Sequence, residues 1–151
     1  MKAVIVEDEL IAAQNLQLLI SQVAGDIEVI AILQSVEESV EWFAIHPTPD
    51  LVFMDIHLAD GSSFGIFEKV QITSPVIFTT AYDEYALKAF EVNSIDYLLK
   101  PINTKNFERA IAKFRHLAST NDNTTDSIAK LLASYNKIKD AGISPHFVCE
   151  Q

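Results

Sequence analysis

The stretch Leu51-Val52-Phe53-Met54-Asp55 decides the fold, because four successive apolar residues end at a single acidic one. An uninterrupted apolar run of this length predicts a strand buried on both faces, as in the parallel sheets of α/β proteins. Two other runs end similarly: residues 3–6 precede Glu7-Asp8, and residues 95–99 precede Lys100. The carboxyl ends of parallel strands meet at one edge of a sheet, where ligands bind. The sequence therefore predicts a charged pocket at that edge.

Segments with helical periodicity alternate with the apolar runs as far as residue 118. The predicted strands cover residues 3–6, 28–33, 51–54, 76–78 and 95–99. The predicted helices cover residues 9–23, 36–44, 63–70, 83–91 and 104–118, and Ser35 and Thr104 are the predicted N-caps of the second and the last. Five units of a strand followed by a helix predict an α/β fold. Right-handed crossovers then favour a doubly wound, five-stranded parallel sheet of the flavodoxin-like type.

The chain beyond residue 118 predicts a smaller second unit. Residues 119–126 are polar and rich in Thr and Asn, which is typical of a linker. Apolar residues then recur at helical spacing, so residues 128–140 predict an amphipathic C-terminal linker helix. This helix either continues the preceding one or folds back on the domain. We therefore divide the chain into a domain over residues 1–118 and an appendage over residues 119–151.

Composition excludes several classes of function. The 151 residues carry 21 acidic and 11 basic side chains, which gives a formal net charge of -10. Binding to nucleic acid requires a basic surface, so this chain is not expected to contact DNA itself. The single cysteine, Cys149, allows no internal disulfide, and no apolar stretch approaches the roughly 18 residues that span a bilayer. Without a secretion signal, the chain is expected to be cytoplasmic and free of membrane segments.

Three acidic residues of the predicted pocket suit a divalent cation. The carboxylates of Glu7, Asp8 and Asp55, if brought together, would repel one another unless a cation joined them. Mg²⁺ is the natural candidate, because it prefers oxygen ligands and is held by one or two carboxylates together with water and phosphate oxygens. The backbone carbonyl of His57, shortly after Asp55, is a further candidate ligand.

The same pocket suits phosphoryl chemistry. A carboxylate beside Mg²⁺ can attack phosphorus as a nucleophile, which makes Asp55 the candidate for an aspartyl-phosphate. Lys100 would supply a fixed positive charge to the phosphoryl oxygens, whose charge must be stabilised during transfer. The hydroxyl of Thr80, at the end of the fourth predicted strand, would donate a hydrogen bond to one of those oxygens.

Four motifs together resemble the receiver domain of bacterial two-component response regulators. They are Ile5-Val6-Glu7-Asp8-Glu9, Met54-Asp55-Ile56-His57-Leu58-Ala59-Asp60-Gly61, Phe78-Thr79-Thr80-Ala81-Tyr82 and Asp96-Tyr97-Leu98-Leu99-Lys100-Pro101. The resemblance covers residues 1–118. Residues 80–91 are similar to the LytR/AlgR (LytTR) subgroup, whose second domain binds DNA. That output domain is missing from this chain, and residues 147–149 are interpreted as its first strand, cut short.

The resemblance implies a role for each residue of the pocket. Asp55 would be the phosphoacceptor, and Lys100 would contact the phosphoryl group. The metal would be held by Glu7, Asp8, Asp55 and the backbone carbonyl of His57. Thr80 would be the switch hydroxyl, and Tyr97 the aromatic residue that moves inward on activation. The Lys100-Pro101 peptide bond would be cis, as is typical of the family.

The resemblance also implies partners. A sensor histidine kinase would donate the phosphoryl group, so the protein would be a signalling phosphoacceptor that catalyses only its own phosphorylation and dephosphorylation. The surface that responds would comprise the fourth helix, the fifth strand and the fifth helix, residues 83–117. That surface would make or break a homodimer. DNA would be bound only through the absent output domain, and the whole protein would regulate transcription.

Two other functions compete with this interpretation. A haloacid-dehalogenase-like phosphatase also uses an aspartate nucleophile with Mg²⁺, but that family requires Asp-x-Asp at the end of its first strand, where this chain has Glu7-Asp8-Glu9. A pseudo-receiver would serve only as a dimerisation module. The intact acidic pair Glu7-Asp8, together with Asp55, Thr80 and Lys100, argues against that alternative.

Overall fold

A computed structural model describes residues 1–81 and 94–121. Its strands are β1 (Lys2–Val6), β2 (Glu28–Leu33), β3 (Leu51–Asp55), β4 (His57–Leu58), β5 (Gly61–Ser62), β6 (Val76–Thr80) and β7 (Ser94–Leu99). Its helices are α1 (Leu10–Val23), α2 (Val36–Ile45), α3 (Phe64–Lys69) and α4 (Thr104–Asn121). The predicted helix over residues 83–91 and the predicted linker helix over residues 128–140 lie outside the described residues.

Five strands form one parallel sheet in the order β2-β1-β3-β6-β7. This order reverses direction between β1 and β3, which is the doubly wound, flavodoxin-like arrangement that the sequence predicts. Every residue of β3 is buried, as expected for a central strand that is covered on both faces. The short strands β4 and β5, which the sequence did not reveal, form a separate antiparallel hairpin directly after β3.

Helices cover both faces of the sheet. On one face, α1 and α4 pack over alternate strand residues such as Ile5 and Phe53. On the other face, α2 and α3 pack over the intervening residues, including Val6 and Met54. Because side chains alternate along a strand, Asp55 follows Phe53 toward the α1 and α4 side.

The ends of two helices test the predicted N-caps. Ser35 caps α2 as predicted, because its Oγ accepts a hydrogen bond of 2.9 Å from the backbone N–H of Glu38. The prediction of Thr104 as the cap of the last helix is wrong. Asn103 takes that place, since its Oδ1 accepts a hydrogen bond of 2.7 Å from the N–H of Asn106. Both residue types cap well, and only the helix register decides between neighbours.

The last helix is also longer than predicted. It continues to Asn121, so residues 119–121 are helical. Ordinary helix propagation carries it past its last fully buried residue, Phe114. The division between residues 1–118 and 119–151 otherwise remains a prediction. Among the described helices, none is long and apolar enough to cross a membrane.

Candidate functional site

The parallel sheet delivers the predicted site residues to one edge. Glu7 and Asp8 follow β1, Asp55 ends β3, and Lys100 follows β7. The strands are in register at this end, with Val6 opposite Met54 and Thr80 opposite Leu99. A shared edge is what parallel pairing imposes, so the sequence positions alone were sufficient to bring these side chains together.

Three carboxylates form a compact cluster. One oxygen from each of Glu7, Asp8 and Asp55 lies within 4.8 Å of the others. Glu7 is 4% exposed and Asp55 is 5% exposed, while Asp8 is more open to solvent. Two buried anions this close together are unfavourable unless positive charge compensates them.

Lys100 supplies positive charge to the cluster. Its Nζ donates hydrogen bonds to Glu7 Oε1 at 2.5 Å and to Asp55 Oδ2 at 3.0 Å. The backbone of Lys100 is fixed as well, because its N–H donates to the carbonyl oxygen of Thr80 at 2.7 Å. The Lys100-Pro101 peptide bond is cis, which confirms the expectation from the sequence. The lysine thus bridges two buried carboxylates.

Electrostatics in the cluster separate Glu7 from an ordinary surface glutamate. Burial is the largest cause that raises the pKa of Glu7 from 4.5 to about 7, the hydrogen bond from Lys100 opposes it, and Asp55 adds to the rise. Burial also acts to lower the pKa of Lys100, but the hydrogen bond to Glu7 and the charge of Asp55 outweigh it and raise that pKa above its ordinary value. Lys100 is therefore charged at neutral pH, and Glu7 exchanges its proton near neutrality.

The backbone after Asp55 also contacts its carboxylate. The N–H of His57 donates to Asp55 Oδ1 at 3.3 Å, and the N–H of Ile56 donates to the carbonyl oxygen of Thr79 at 3.1 Å. The His57 residue is exposed, and its backbone N–H contacts the site. The use of its carbonyl as a metal ligand stays a prediction.

The two predicted switch residues lie on the other face of the sheet. Thr80 is fully buried at the end of β6. Tyr97 is partly buried and packs against the cluster that contains Phe78. The alternation of side chains places Thr80 and Tyr97 on the same face, so the geometry is compatible with a coupled movement. Their switching roles remain predictions.

Thr79 lies on the same face of the sheet as Asp55, a position that the sequence analysis did not single out. It pairs in register with Asp55 and lines a cavity of about 320 Å³ together with Glu7 and Lys100. Strand alternation in the sequence indicates this position, because Thr79 pairs with Asp55 and therefore lies on the same face of the sheet. Thr80, the predicted switch residue, is its neighbour on the opposite face.

The donor atoms fit a hard divalent cation. The cluster offers three carboxylates, two of them buried, and every candidate metal ligand among these side chains is an oxygen atom. Mg²⁺ and other hard cations prefer such ligands, whereas zinc and copper sites usually include His or Cys. One lysine against three carboxylates leaves a net negative charge, which a cation would neutralise.

Comparison with known proteins gives the class of the chain. Residues 3–112 match the family described as the response regulator receiver domain, and the chain therefore belongs to that family. It is similar to the response regulatory domain of protein mrkE from Klebsiella pneumoniae, with a TM-score of 0.69 and 28% identity over 78% of this chain and 97% of that one. A second similar structure is the N-terminal domain of a response regulator/sensory box/GGDEF 3-domain protein from Carboxydothermus hydrogenoformans. Its TM-score is 0.68, with 26% identity over 80% of this chain and 98% of that one.

Curated relatives narrow the similarity to LytR-type regulators. The chain is 37% identical over 85% of its length to the transcriptional regulatory protein LytR of Staphylococcus aureus (strain MW2), and covers 53% of that protein. It is 35% identical over 76% of its length to the sensory transduction protein LytT of Bacillus cereus, and covers 47% of it. The chain thus spans about half the length of the curated relatives it matches, which corresponds to a receiver domain.

Proposed function

We propose that Asp55 accepts a phosphoryl group from a sensor histidine kinase in the presence of Mg²⁺. The observation that carries this proposal is the buried Asp55 carboxylate, clustered with Glu7 and Asp8 and held by the Lys100 ammonium at 3.0 Å. A solvated strand-end aspartate that only terminates a turn would need neither the acidic neighbours nor the lysine.

The residues present divide the work of transfer. A carboxylate oxygen of Asp55 forms a bond to phosphorus while the bond from phosphorus to the donor nitrogen breaks, and the donor imidazole keeps that electron pair. Bound Mg²⁺ would neutralise the phosphoryl oxygens and help to orient the phosphoryl group. Lys100 stays charged and can pass from Asp55 to the incoming phosphoryl oxygens. Catalysis of this kind depends mostly on position and charge.

Thr80 and Tyr97 are proposed to transmit the new charge. Thr80 would move toward the phosphoryl group, and Tyr97 would follow into the space that it leaves. The surface over residues 83–117 would then change and make or break a homodimer, although residues 82–93 lie outside the described part of the chain. Local events of this kind shift two-state surfaces. By similarity to LytR-type proteins, the whole protein would regulate transcription through a DNA-binding output domain.

The test is the intact mass of the protein after incubation with acetyl phosphate and Mg²⁺. A single phosphoryl adduct is expected, absent in Asp55→Asn and absent when a chelator removes Mg²⁺. Asp50→Asn is the matched control, because it removes one exposed carboxylate nearby in the chain and should leave the adduct unchanged. A folded wild-type protein that takes up no phosphoryl group would contradict the proposal and favour the pseudo-receiver. Turnover of a generic phosphate ester would instead favour the phosphatase.

A further inference from the structure

The carboxylate of Asp60 caps a helix to which it does not belong. Its Oδ1 accepts a hydrogen bond of 2.8 Å from the N–H of Val36, and its Oδ2 accepts one of 3.1 Å from the N–H of Glu37. These are the first two residues of α2, and 24 positions separate Val36 from Asp60. The first N–H groups of a helix have no acceptor within that helix. The Asp60 carboxylate supplies an acceptor oxygen to two of them.

Asp60 completes the N-terminus of α2. The next two N–H groups already have partners, since Glu38 donates to Ser35 Oγ at 2.9 Å and Ser39 donates to the Ser35 carbonyl at 3.1 Å. A negative charge is also favoured at the positive end of a helix. The hydrogen bond from the Val36 N–H is the largest influence and lowers the pKa of Asp60, burial opposes it, and the hydrogen bond from the Glu37 N–H adds to the lowering. The contact is therefore made by an ionised carboxylate at neutral pH.

Asp60 also lies on the hairpin that leaves the acidic site. It occupies the turn between β4 and β5, where Gly61 has a φ of 142°, a conformation that side chains disfavour. The base of the hairpin is closed by the N–H of Ser63, which donates to the Ile56 carbonyl at 2.8 Å, and it is fixed to the sheet by the Ile56 N–H, which donates to the Thr79 carbonyl at 3.1 Å. Between base and tip lies His57, whose N–H donates to Asp55 Oδ1.

We infer that Asp60 is a positioning residue: by fastening the tip of the β4-β5 hairpin to α2, it holds the His57 backbone against the Asp55 carboxylate and so supports Mg²⁺ binding. The hairpin is held at its base by the sheet and at its tip by Asp60. With the tip released, the peptide that contacts Asp55 would sample more conformations. The Mg²⁺ part of this inference rests on the proposed function, whereas the placement of the His57 backbone does not.

The test compares Asp60→Ala with Ser35→Ala. Both variants remove caps from the N-terminus of α2, but only the first releases the hairpin, since Ser35 contacts α2 alone in the capping interactions above. Amide hydrogen exchange at His57, followed by NMR without metal, should be faster in Asp60→Ala and unchanged in Ser35→Ala. The dissociation constant for Mg²⁺, measured by calorimetry, should rise about tenfold in Asp60→Ala only, as is common when a group that supports a ligand is lost. Asp60→Asn keeps one acceptor oxygen and should give an intermediate value.

Each outcome separates a positioning role from a merely structural one. Equal effects of Asp60→Ala and Ser35→Ala on His57 exchange, or no effect of either, would overturn the inference. Faster exchange with an unchanged Mg²⁺ dissociation constant would overturn its metal-binding part. If the wild-type protein bound no Mg²⁺ while His57 exchange still responded to Asp60→Ala, the positioning role would stand and the proposed function would fail.

Discussion

The Nζ atom of Lys100 lies 2.5 Å from Oε1 of Glu7, although 93 positions separate the two residues in the chain. The pair joins the end of β1, which Glu7 follows, to the end of β7, which Lys100 follows. Both groups lose water on burial, and each limits that penalty for the other. The pKa of Glu7 therefore depends on its neighbours Lys100 and Asp55, and a titration of Glu7 detects changes in either of them.

Replacing Lys100 should shift the titration of Glu7. In Lys100→Gln the hydrogen bond and the charge that lower the pKa of Glu7 are lost, so that pKa should rise above about 7. The measurement is a carboxyl NMR titration. Lys105→Gln removes the same charge from an exposed position on α4 and should leave Glu7 unchanged. An unmoved Glu7 titration in Lys100→Gln would show that the ion pair contributes nothing in solution.

The raised pKa of Glu7 should make stability depend on pH. A carboxyl that holds its proton more tightly when folded destabilises the folded state as pH rises from about 4.5 to about 7, with the cost constant above that range. One pKa unit corresponds to about 1.4 kcal/mol, so a rise from 4.5 to about 7 costs roughly 3 kcal/mol. Glu7→Gln should be more stable than wild type near about pH 8 and similar near about pH 4. Urea unfolding measures both, and a difference independent of pH would refute the assignment.

The affinity for Mg²⁺ should follow the same titration. Because a carboxylate must lose its proton before it binds a metal, the Mg²⁺ dissociation constant should fall as pH rises through about 7 and then level off. Calorimetric titration at several pH values measures it. In Glu7→Gln the dependence near neutrality should disappear, and binding should be weaker than in wild type above about pH 7 and similar at acidic pH. A wild-type dissociation constant that did not vary between acidic and alkaline buffer would exclude Glu7 as a ligand.

A second ion pair, Arg115 with Asp26, provides a contrasting case on the surface. Arg115 donates to the two carboxylate oxygens of Asp26 at 2.6 and 3.0 Å, and its hydrogen bonds lower the pKa of Asp26 from 3.8 to about 2. In Arg115→Gln the pKa of Asp26 should return toward 3.8. The pair therefore stabilises the fold above pH 3.8, and its contribution is lost as the pH falls toward about 2.

Carboxyl NMR titration of Asp26 checks that prediction, and salt should weaken the effect because the pair is exposed. Arg109→Gln is the matched control on the same helix, since Arg109 pairs with Asp96 at 3.3 Å. A titration of Asp26 that was identical in wild type and Arg115→Gln would show that the pair does not persist in solution.

The residues of the candidate site could be predicted from the sequence more completely than the local hydrogen bonds could. The apolar runs that end at Glu7, Asp55 and Lys100 were sufficient to predict that these side chains share one edge of the sheet. Parallel strands place their carboxyl ends together whatever the details of packing. The N-cap of α4 was harder to predict. Asn103 and Thr104 are neighbours with similar capping ability, and only the helix register distinguishes them.

Hydrogen bonds between segments that are distant in the chain could not be predicted from the spacing of residues. Asp60 caps α2 from a turn 24 positions away from Val36, and nothing in the spacing of the two residues indicates it. The pairing of Lys100 with Glu7 as well as Asp55 likewise depends on where side chains point within a shared pocket. Strand alternation would have identified Thr79, since it occupies the same face as Asp55.

The most direct test of the central claim is the location of the phosphoryl group. After reaction with acetyl phosphate and Mg²⁺, borohydride reduces an acyl phosphate to an alcohol, and peptide mass spectrometry identifies the reduced residue. We expect reduction at Asp55 alone, with none in Asp55→Asn. Reduction at Asp8 or Asp60, or a stable phosphoryl group on a histidine, would contradict the assignment of Asp55 as the phosphoacceptor.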